Sequence, residues 1–520
     1  MVARAVPGTV WRVFARHRLE WVTAVVAAVP GVAYLLLPAL GSDLSAQVAR
    51  ADFFAAHGYT PVDLRWYAGV NQLGYSLLSQ PVMALLGVRM TGALALVAAA
   101  VLLAVLFRRT GAPRPGLGVL VGTACIAGNL VSGRITYGLG VALGLAALVA
   151  LTSATRQWLA AVFALLAAAT SPVVALFLGL AGVALLLSRR VRPGLLIAVP
   201  AAVPLLAAAL LFGDGGWMNI SRTDTIRAVV ASLAVAALVP LRAVRIGGVL
   251  SALGVLAAAL VHTPVGLNAT RLSVMFTLPV LAAYATLPRL HARMPLWAVG
   301  VLLAAACWWQ PPVVTGDLRD LGNPSADPAY FAPLRARLAQ EQLTGRVEIP
   351  PTRDYWEAAR LGDLPLARGW LRQADIDRNP LFFTAIPGAR GTGVPLNADT
   401  YRDWLAQLAV QFVAVPDAEL TWSGRPEAAL VTGGLPYLTE VWRDPHWRLY
   451  RVAGHQPVVA APLVAVTAAA ITFDAPAAGD VPVRVRYSRW LRADGGATVE
   501  PDGDWTTVRV PAPGRYTLSS

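Results

Sequence analysis

The first 310 residues are dominated by apolar runs parted by short polar stretches. A helix needs roughly 20 apolar residues to cross a bilayer. The segments that fit are 21–40, 90–107, 116–133, 136–153, 157–170, 171–188, 195–212, 226–242, 246–262, 273–288 and 296–313. Segments 157–170 and 171–188 meet as a bent pair at Ser171-Pro172. One further segment, 74–88 (GYSLLSQPVMALLGV), either crosses or lies in the interface. After Pro311-Pro312 the pattern turns soluble. VEIPPTRDYWEAARL, YRDWLAQLAVQFVAVPD and LTEVWRDPHWRLYRV read as a small α/β unit over 314–457. From 458 to 520 short strands alternate with Gly, Pro and Asp turns, which predicts a small β-sandwich.

Composition agrees with a membrane class: 56% of residues are hydrophobic, 14% are charged, and mean hydropathy is +0.57. That excludes one compact soluble domain, which would carry nearer a quarter charged residues. Cys125 and Cys307 both lie in apolar segments, so a disulfide framework is excluded. All 43 basic residues are Arg, as in a GC-rich bacterial chain. Residues 1–310 hold 22 Arg against six acids, and 311–520 hold 21 Arg against 23 acids. The arginines of the first part sit singly or in small groups between apolar runs, a loop pattern and not a nucleic-acid face. Four of them precede the first apolar segment, which reads as a retained signal anchor.

The positive-inside rule decides the count. Eleven spans place 15 arginines inside and 7 outside, whereas twelve reverse the bias to 9 and 13. Eleven spans put the N-terminus inside and both 42–89 and 311–520 outside the cytoplasm. The expected fold is a polytopic α-helical protein of the cytoplasmic membrane with an extracytoplasmic α/β plus β-sandwich region. Segment 42–89 is the long connection of the membrane part, and it carries three of its six acids. LSAQVARADFFAAHG reads as a short amphipathic helix, with Trp66, Tyr67 and Tyr75 suited to the headgroup level.

No phosphate-binding Gly-rich loop, zinc helix, nucleophile elbow or spaced Cys/His cluster occurs. Candidate chemistry rests on polar residues that lipid discourages. Asp43 follows the first span directly, and a carboxylate there can take a proton from an attacking sugar hydroxyl. As an N-cap, Ser42 or Asp43 would serve equally well. Asp52 lies about two and a half helical turns on, roughly on the same face. His57 and Asp63 are further polar residues of this loop. Arg134, in NLVSGRITYGLG, can pair bidentately with a phosphate or snorkel at a helix end. Arg222, with Asp224 and Arg227, and His262 with Arg271 complete an outward rim. In the soluble part RGWLRQADIDRNPLFF gathers Arg368, Arg372, Asp375, Asp377 and Asn379. Trp356, Trp370, Trp404, Trp442 and Trp447 fall in the same region and suit either sugar rings or a small core.

The opening helix, the acid-bearing outer loop GSDLSAQ…ADFF, the interfacial segment and the extracytoplasmic C-terminal region together resemble the GT-C superfamily of membrane glycosyltransferases. NLVSGRITYGLG, PLARGWLRQADIDRNPLFF and DPHWRLYRV resemble more closely an unassigned actinobacterial branch, related to the 6-pyruvoyl-tetrahydropterin-synthase-associated membrane proteins. The resemblance implies a polyprenyl-phosphate-linked sugar as donor and a cell-envelope glycan or lipid as acceptor. Asp43 would then be the base, supported by Asp52. His57, Asp63, Arg134, Arg222, Arg271 and His262 would bind substrate, with the arginines holding phosphate. Asp43 has no adjacent acid, where many relatives have two. Membrane lipid and the lipid-linked sugar are the expected partners, with no nucleic acid. No cofactor is expected, although some members use a divalent metal. Two other readings are a non-catalytic glycan-binding assembly protein and a lipid-linked sugar transporter; few mid-span charges disfavour the second.

Overall fold

The computed structural model describes residues 17–287, 292–312, 314–385 and 393–520. Arg4, Arg12, Arg16 and Arg289, which entered the orientation count, lie outside the described residues.

Every apolar segment named above contains a helix. In chain order, with the outer loop included, these are α1 (Arg18–Leu36), α2 (Leu44–His57), α3 (Ser79–Leu86), α4 (Val88–Arg109), α5 (Pro115–Val131), α6 (Ile135–Leu151) and α7 (Leu159–Thr170). There follow α8 (Pro172–Leu187), α9 (Val191–Phe212), α10 (Arg222–Leu238), α11 (Arg242–Leu260), α12 (Arg271–Tyr284) and α13 (Leu296–Trp309). By length and composition α1, α4, α9 and α11 can each cross a membrane, while α5 to α8 are shorter apolar helices. The ambiguous segment 74–88 forms only α3, eight residues and about 12 Å long, under half a hydrocarbon core.

Helix α4 packs on α1, α5 and α6, α9 packs on α7 and α8, and α12 packs on α5. The contacts are made by fully buried small residues such as Ala99, Ala100, Ala147, Ala160, Ala164 and Ala201. Such residues let helices approach closely, which dispersion needs where lipid offers no hydrophobic drive. At one end of the bundle Arg108 Nε donates to Glu20 Oε1 at 2.6 Å, and Arg114 caps the carbonyls of Ala282 and Met294. The opposite end carries the outer loop and everything after α13.

Beyond α13 lie α14 (Val314–Asp317), α15 (Pro328–Leu338), α16 (Glu357–Arg360), α17 (Arg372–Arg378), α18 (Ala398–Gln407) and α19 (Gly424–Thr432). They surround a four-stranded sheet with Val410–Pro416 at its centre. This strand pairs parallel with Arg346–Glu348 and antiparallel with Trp447–Val452, which in turn pairs with Leu438–Arg443. All seven residues of the central strand are buried, as a two-sided strand demands. From residue 463 a four-stranded and a three-stranded antiparallel sheet follow, with Phe473, Val485, Val508 and Leu518 fully buried in a shared cluster.

The outer loop does not lie free at the membrane surface. Leu64 N–H donates to Ala468 O, Leu366 N–H to Arg65 O, and Arg486 N–H to Ala68 O. Val62 and Leu64 belong to the cluster of the β-rich region. Trp66 and Tyr67, expected at headgroup level, are fully buried. Their aromatic rings are covered by the C-terminal region, and the Tyr67 hydroxyl donates to Gly369 O at 2.5 Å. A sequence pattern registers amphipathic rings but not which surface covers them.

The run around Arg368 is core. Arg368 is 2% exposed, donates to both Asp375 oxygens at 3.0 and 2.8 Å and to Glu427 Oε2 at 2.8 Å, and lies over the Phe382 ring. Glu348 lies 3.8 Å away, and burial beside Glu427 raises its carboxyl well above the usual range. Asn379 links Asp375 to the Trp404 indole. Trp356, Trp404 and Trp447 are likewise buried, so these three tryptophans fill the core. Replacing Arg368 by Met should strand Asp375 and Glu427 and cost about 3–5 kcal/mol. Urea unfolding of the detergent-solubilised chain, followed by tryptophan fluorescence, measures this. An unchanged midpoint would show that the network does not hold the region together.

Candidate functional site

Two loops meet backbone to backbone at the end of the bundle that carries segment 42–89. Gly41, before α2, has φ +115°, and Gly133, between α5 and α6, has φ +73°. A Cβ on Gly41 would fall 2.4 Å from Val131 O, and one on Gly133 would fall 2.5 Å from Leu44 N. Only glycine allows both the conformation and the approach. Asp43 N–H then donates to Ser132 O at 3.1 Å. The buried Asp317 carboxylate bridges the same loops, accepting from Ser42 N–H at 3.0 Å and from Ser132 Oγ at 2.5 Å.

This closure sets Asp43 beside Arg134. Asp43 occupies the N-cap position of α2, yet its side chain makes no cap hydrogen bond. Instead Oδ2 accepts from Arg134 Nε at 3.1 Å and from Arg271 Nη2 at 3.5 Å. Arg134 directly precedes α6 and Arg271 opens α12. All three side chains are about one-fifth exposed, so the cluster is open to a ligand. The Arg271 guanidinium lies over the Tyr137 ring, 5.3 Å from its centre.

The C-terminal region supplies the far wall. Arg372, the first residue of α17, donates to the Tyr355 hydroxyl at 3.4 Å. Tyr355 and, further out, Asp43 push the Arg372 guanidinium above its ordinary value. Tyr355 itself has φ +56°, a left-handed conformation that costs a non-glycine residue about 1–3 kcal/mol. Trp370 meets Tyr75 edge to face at 5.2 Å, and the buried Arg50 guanidinium lies 4.1 Å over the Tyr75 ring. Arg134 and Arg271 outnumber the one carboxylate they share, Asp43, so the ion-paired group is net positive. An apolar cavity of about 140 Å³ opens between α10, α12 and α13. Its α12 wall begins at Ser273, two residues after Arg271, and runs to Leu281, about 12 Å further along the helix.

The other expected site residues are placed elsewhere. Asp52 is exposed on α2, where the charges nearest its carboxyl are Arg65 and Arg360. His57 packs against Phe53 at the far end of that helix. Asp63 is fully buried in a bidentate pair with Arg65 and accepts from Gln72, which makes it a structural ion. Arg222 is exposed at the start of α10. His262 stacks on Trp217 with ring centres 4.0 Å apart. Sequence reasoning missed Tyr355 as a wall residue and read Tyr75 as an interfacial ring; the signal present was the pair of glycines flanking Asp43 and Arg134. Among the described residues no group of three or more His, Cys, Asp or Glu is gathered to hold a metal ion.

No protein-family model matches the chain, and no curated protein matches its sequence. Among solved structures it is similar to the arabinofuranosyltransferase AftD from mycobacteria, at 18% identity over 89% of this chain with a TM-score of 0.45. A mutant of that enzyme is similar at 17% identity over 86% of the chain, with a TM-score of 0.46. The chain spans about two fifths of those proteins, 41% and 43% of their lengths.

Two outcomes follow from this geometry. Gly133→Ala should separate the loops and cost about 1–3 kcal/mol through backbone strain, seen as a lowered unfolding midpoint and faster hydrogen exchange at residues 41–47. The segment carrying Tyr355 also titrates: burial pushes both Asp354 and Glu357 up to about 7. Folded, they hold protons that the unfolded chain releases near pH 4, so stability falls as pH rises from about 4 to 7. Thermal unfolding should therefore show a midpoint that drops over that window. The drop should be much reduced in the Asp354→Asn/Glu357→Gln double variant; an equal drop in both would sink the assignment.

Proposed function

We propose that the chain is a GT-C-type membrane glycosyltransferase that moves a sugar from a polyprenyl-phosphate donor to a cell-envelope glycan or lipid. The observation that carries this reading is the pairing of Arg134 and Arg271 with Asp43, with Arg372 on the wall beyond. A lipid phosphate needs both a cationic head site and an apolar path for its tail; α12 carries Arg271 and, from Ser273 on, one wall of an apolar cavity. In this reading the bundle crosses the cytoplasmic membrane eleven times, with the N-terminus inside and the site on the outer face.

The chemistry is a single displacement. The acceptor hydroxyl oxygen attacks the anomeric carbon, the carbon–oxygen bond to phosphate breaks, and its electron pair stays on the phosphate oxygen. The hydroxyl proton passes to Asp43, whose Oδ1 has no recorded partner among the described residues and is free to receive it. Inversion at the anomeric carbon results. The phosphate carries one negative charge in the donor and gains a second as the bond breaks. A net positive group opposes that charge most strongly in the later state, which is where stabilisation accelerates a reaction. In this reading Asp43 and the arginines carry the step, and Asp52, Asp63, His57, Arg222 and His262 take no part in it.

Membranes expressing the wild-type chain should transfer radiolabelled sugar from a panel of polyprenyl-phosphate donors. Asp43→Asn and Arg271→Ala should each lower that rate by about two to three decades while the protein remains folded. Retention of full rate by Asp43→Asn would remove Asp43 as the base. Binding of polyprenyl phosphate without transfer would favour a glycan-assembly protein built on the same scaffold, and neither binding nor transfer would overturn the proposal.

A further inference from the structure

Behind the arginine cluster a chain of uncharged polar side chains runs through a buried part of the molecule. Gln47 lies one helical turn after Asp43 on α2, Thr136 lies two residues after Arg134 on α6, and Ser79 opens α3. Gln47 and Ser79 are fully buried and Thr136 is 3% exposed. Thr136 Oγ1 lies 2.6 Å from Gln47 Oε1 and 2.8 Å from Ser79 Oγ, and Gln47 Nε2 lies 3.1 Å from the Tyr75 hydroxyl.

The lengths assign the directions. A contact of 2.6 Å is that of an O–H···O bond and is short for N–H···O, so the amide oxygen of Gln47 faces Thr136. The Thr136 hydroxyl donates toward both that oxygen and Ser79 Oγ, the shorter contact being to Gln47. The amide nitrogen is left to donate to Tyr75. The Tyr75 oxygen thus accepts from Gln47, and its own proton has no recorded acceptor among the described residues. Burial and the nearby Asp43 charge hold the phenol above its ordinary value, so it keeps that proton at physiological pH. The Arg50 guanidinium over the ring face draws electron density from it and strengthens the O–H as a donor. The charges acting on the phenol are the Asp43 carboxylate and the Arg50 and Arg271 guanidinium groups, two cations against one anion.

We infer that Tyr75 is a phosphate ligand, donating its hydroxyl proton to a phosphate oxygen of a polyprenyl phosphate held by Arg134 and Arg271, and that Gln47 and Thr136 are positioning residues that keep the proton pointed outward. A neutral donor in a cationic setting suits an anionic oxygen. It suits the attacking acceptor hydroxyl less well, since Asp43 must take a proton from that group. This inference rests on the lipid-phosphate reading and extends it to a residue that carries no charge.

The test measures binding of a C55 polyprenyl phosphate to the purified full chain in nanodiscs, with the polyprenol of equal length as the uncharged control. Tyr75→Phe keeps the ring, and with it the Arg50 and Trp370 contacts. It should weaken phosphate binding by about ten- to hundredfold, as loss of a hydrogen bond to a charged group does, and leave polyprenol binding unchanged, while the unfolding midpoint falls modestly because the buried Gln47 amide loses its acceptor. Thr136→Val, which keeps the shape without the hydroxyl, should shift binding in the same direction by a smaller factor, and Thr136→Ser should restore it. Wild-type affinity in Tyr75→Phe would overturn the Tyr75 assignment and leave the donor reading standing. Equal weakening by Thr136→Val and Thr136→Ser would overturn the orienting chain. A wild-type chain that does not distinguish the phosphate from the polyprenol would overturn both the inference and the reading beneath it.

Discussion

The structure depends on a contact between two pieces of backbone that ordinary side chains would keep apart. Gly41 and Gly133 let the loop after α1 touch the loop between α5 and α6, and Asp317 clasps both with one carboxylate. Asp317 belongs to the segment that leaves the membrane bundle, so one buried ion ties the bundle, the outer loop and the start of the C-terminal region together. A shared acceptor of this kind makes the three parts cooperative: opening any one of them leaves a buried carboxylate short of donors.

The outer loop is the centre of the molecule and not a peripheral strap. Its first helix faces the bundle through Gln47 and Thr136, and its middle residues enter the cores of both C-terminal sheets. Arg65 and Asp63 hold it in shape where it passes between them. The C-terminal region in turn supplies Trp370, Arg372 and Tyr355 to the wall facing Asp43. The site is therefore composite, built from residues more than 300 positions apart, and its rigidity derives from the packing of the soluble part on the loop.

The parts legible in the sequence share a physical basis. Backbone polar groups in lipid must be satisfied within one segment, so long apolar runs become helices wherever they occur. Asp43, Arg134 and Arg271 were visible because charge next to an apolar run is unusual. What was not visible depends on tertiary contact. Nothing local distinguishes Asp63, which spends its charge on Arg65, from Asp43, whose partners come from two other helices. Tyr75 and Trp66 read alike as interfacial rings, yet one lines the site and the other is sealed beneath Gly369. Arg368 and Arg372 stand four residues apart, and one serves the core while the other faces the cluster.

Asp43, Arg134 and Arg271 each sit where a helix begins, at the starts of α2, α6 and α12. The first amide N–H groups of a helix have no carbonyl partner within it, and the aligned peptide dipoles place about half a positive charge there. Two such ends, those of α2 and α6, meet here, while α12 continues from the 3-10 turn Gly266–Thr270. The backbone therefore adds a positive field that no side-chain replacement removes and that ions in solution screen poorly where it is buried. The potential at this point is thus set by the architecture as well as by the arginines.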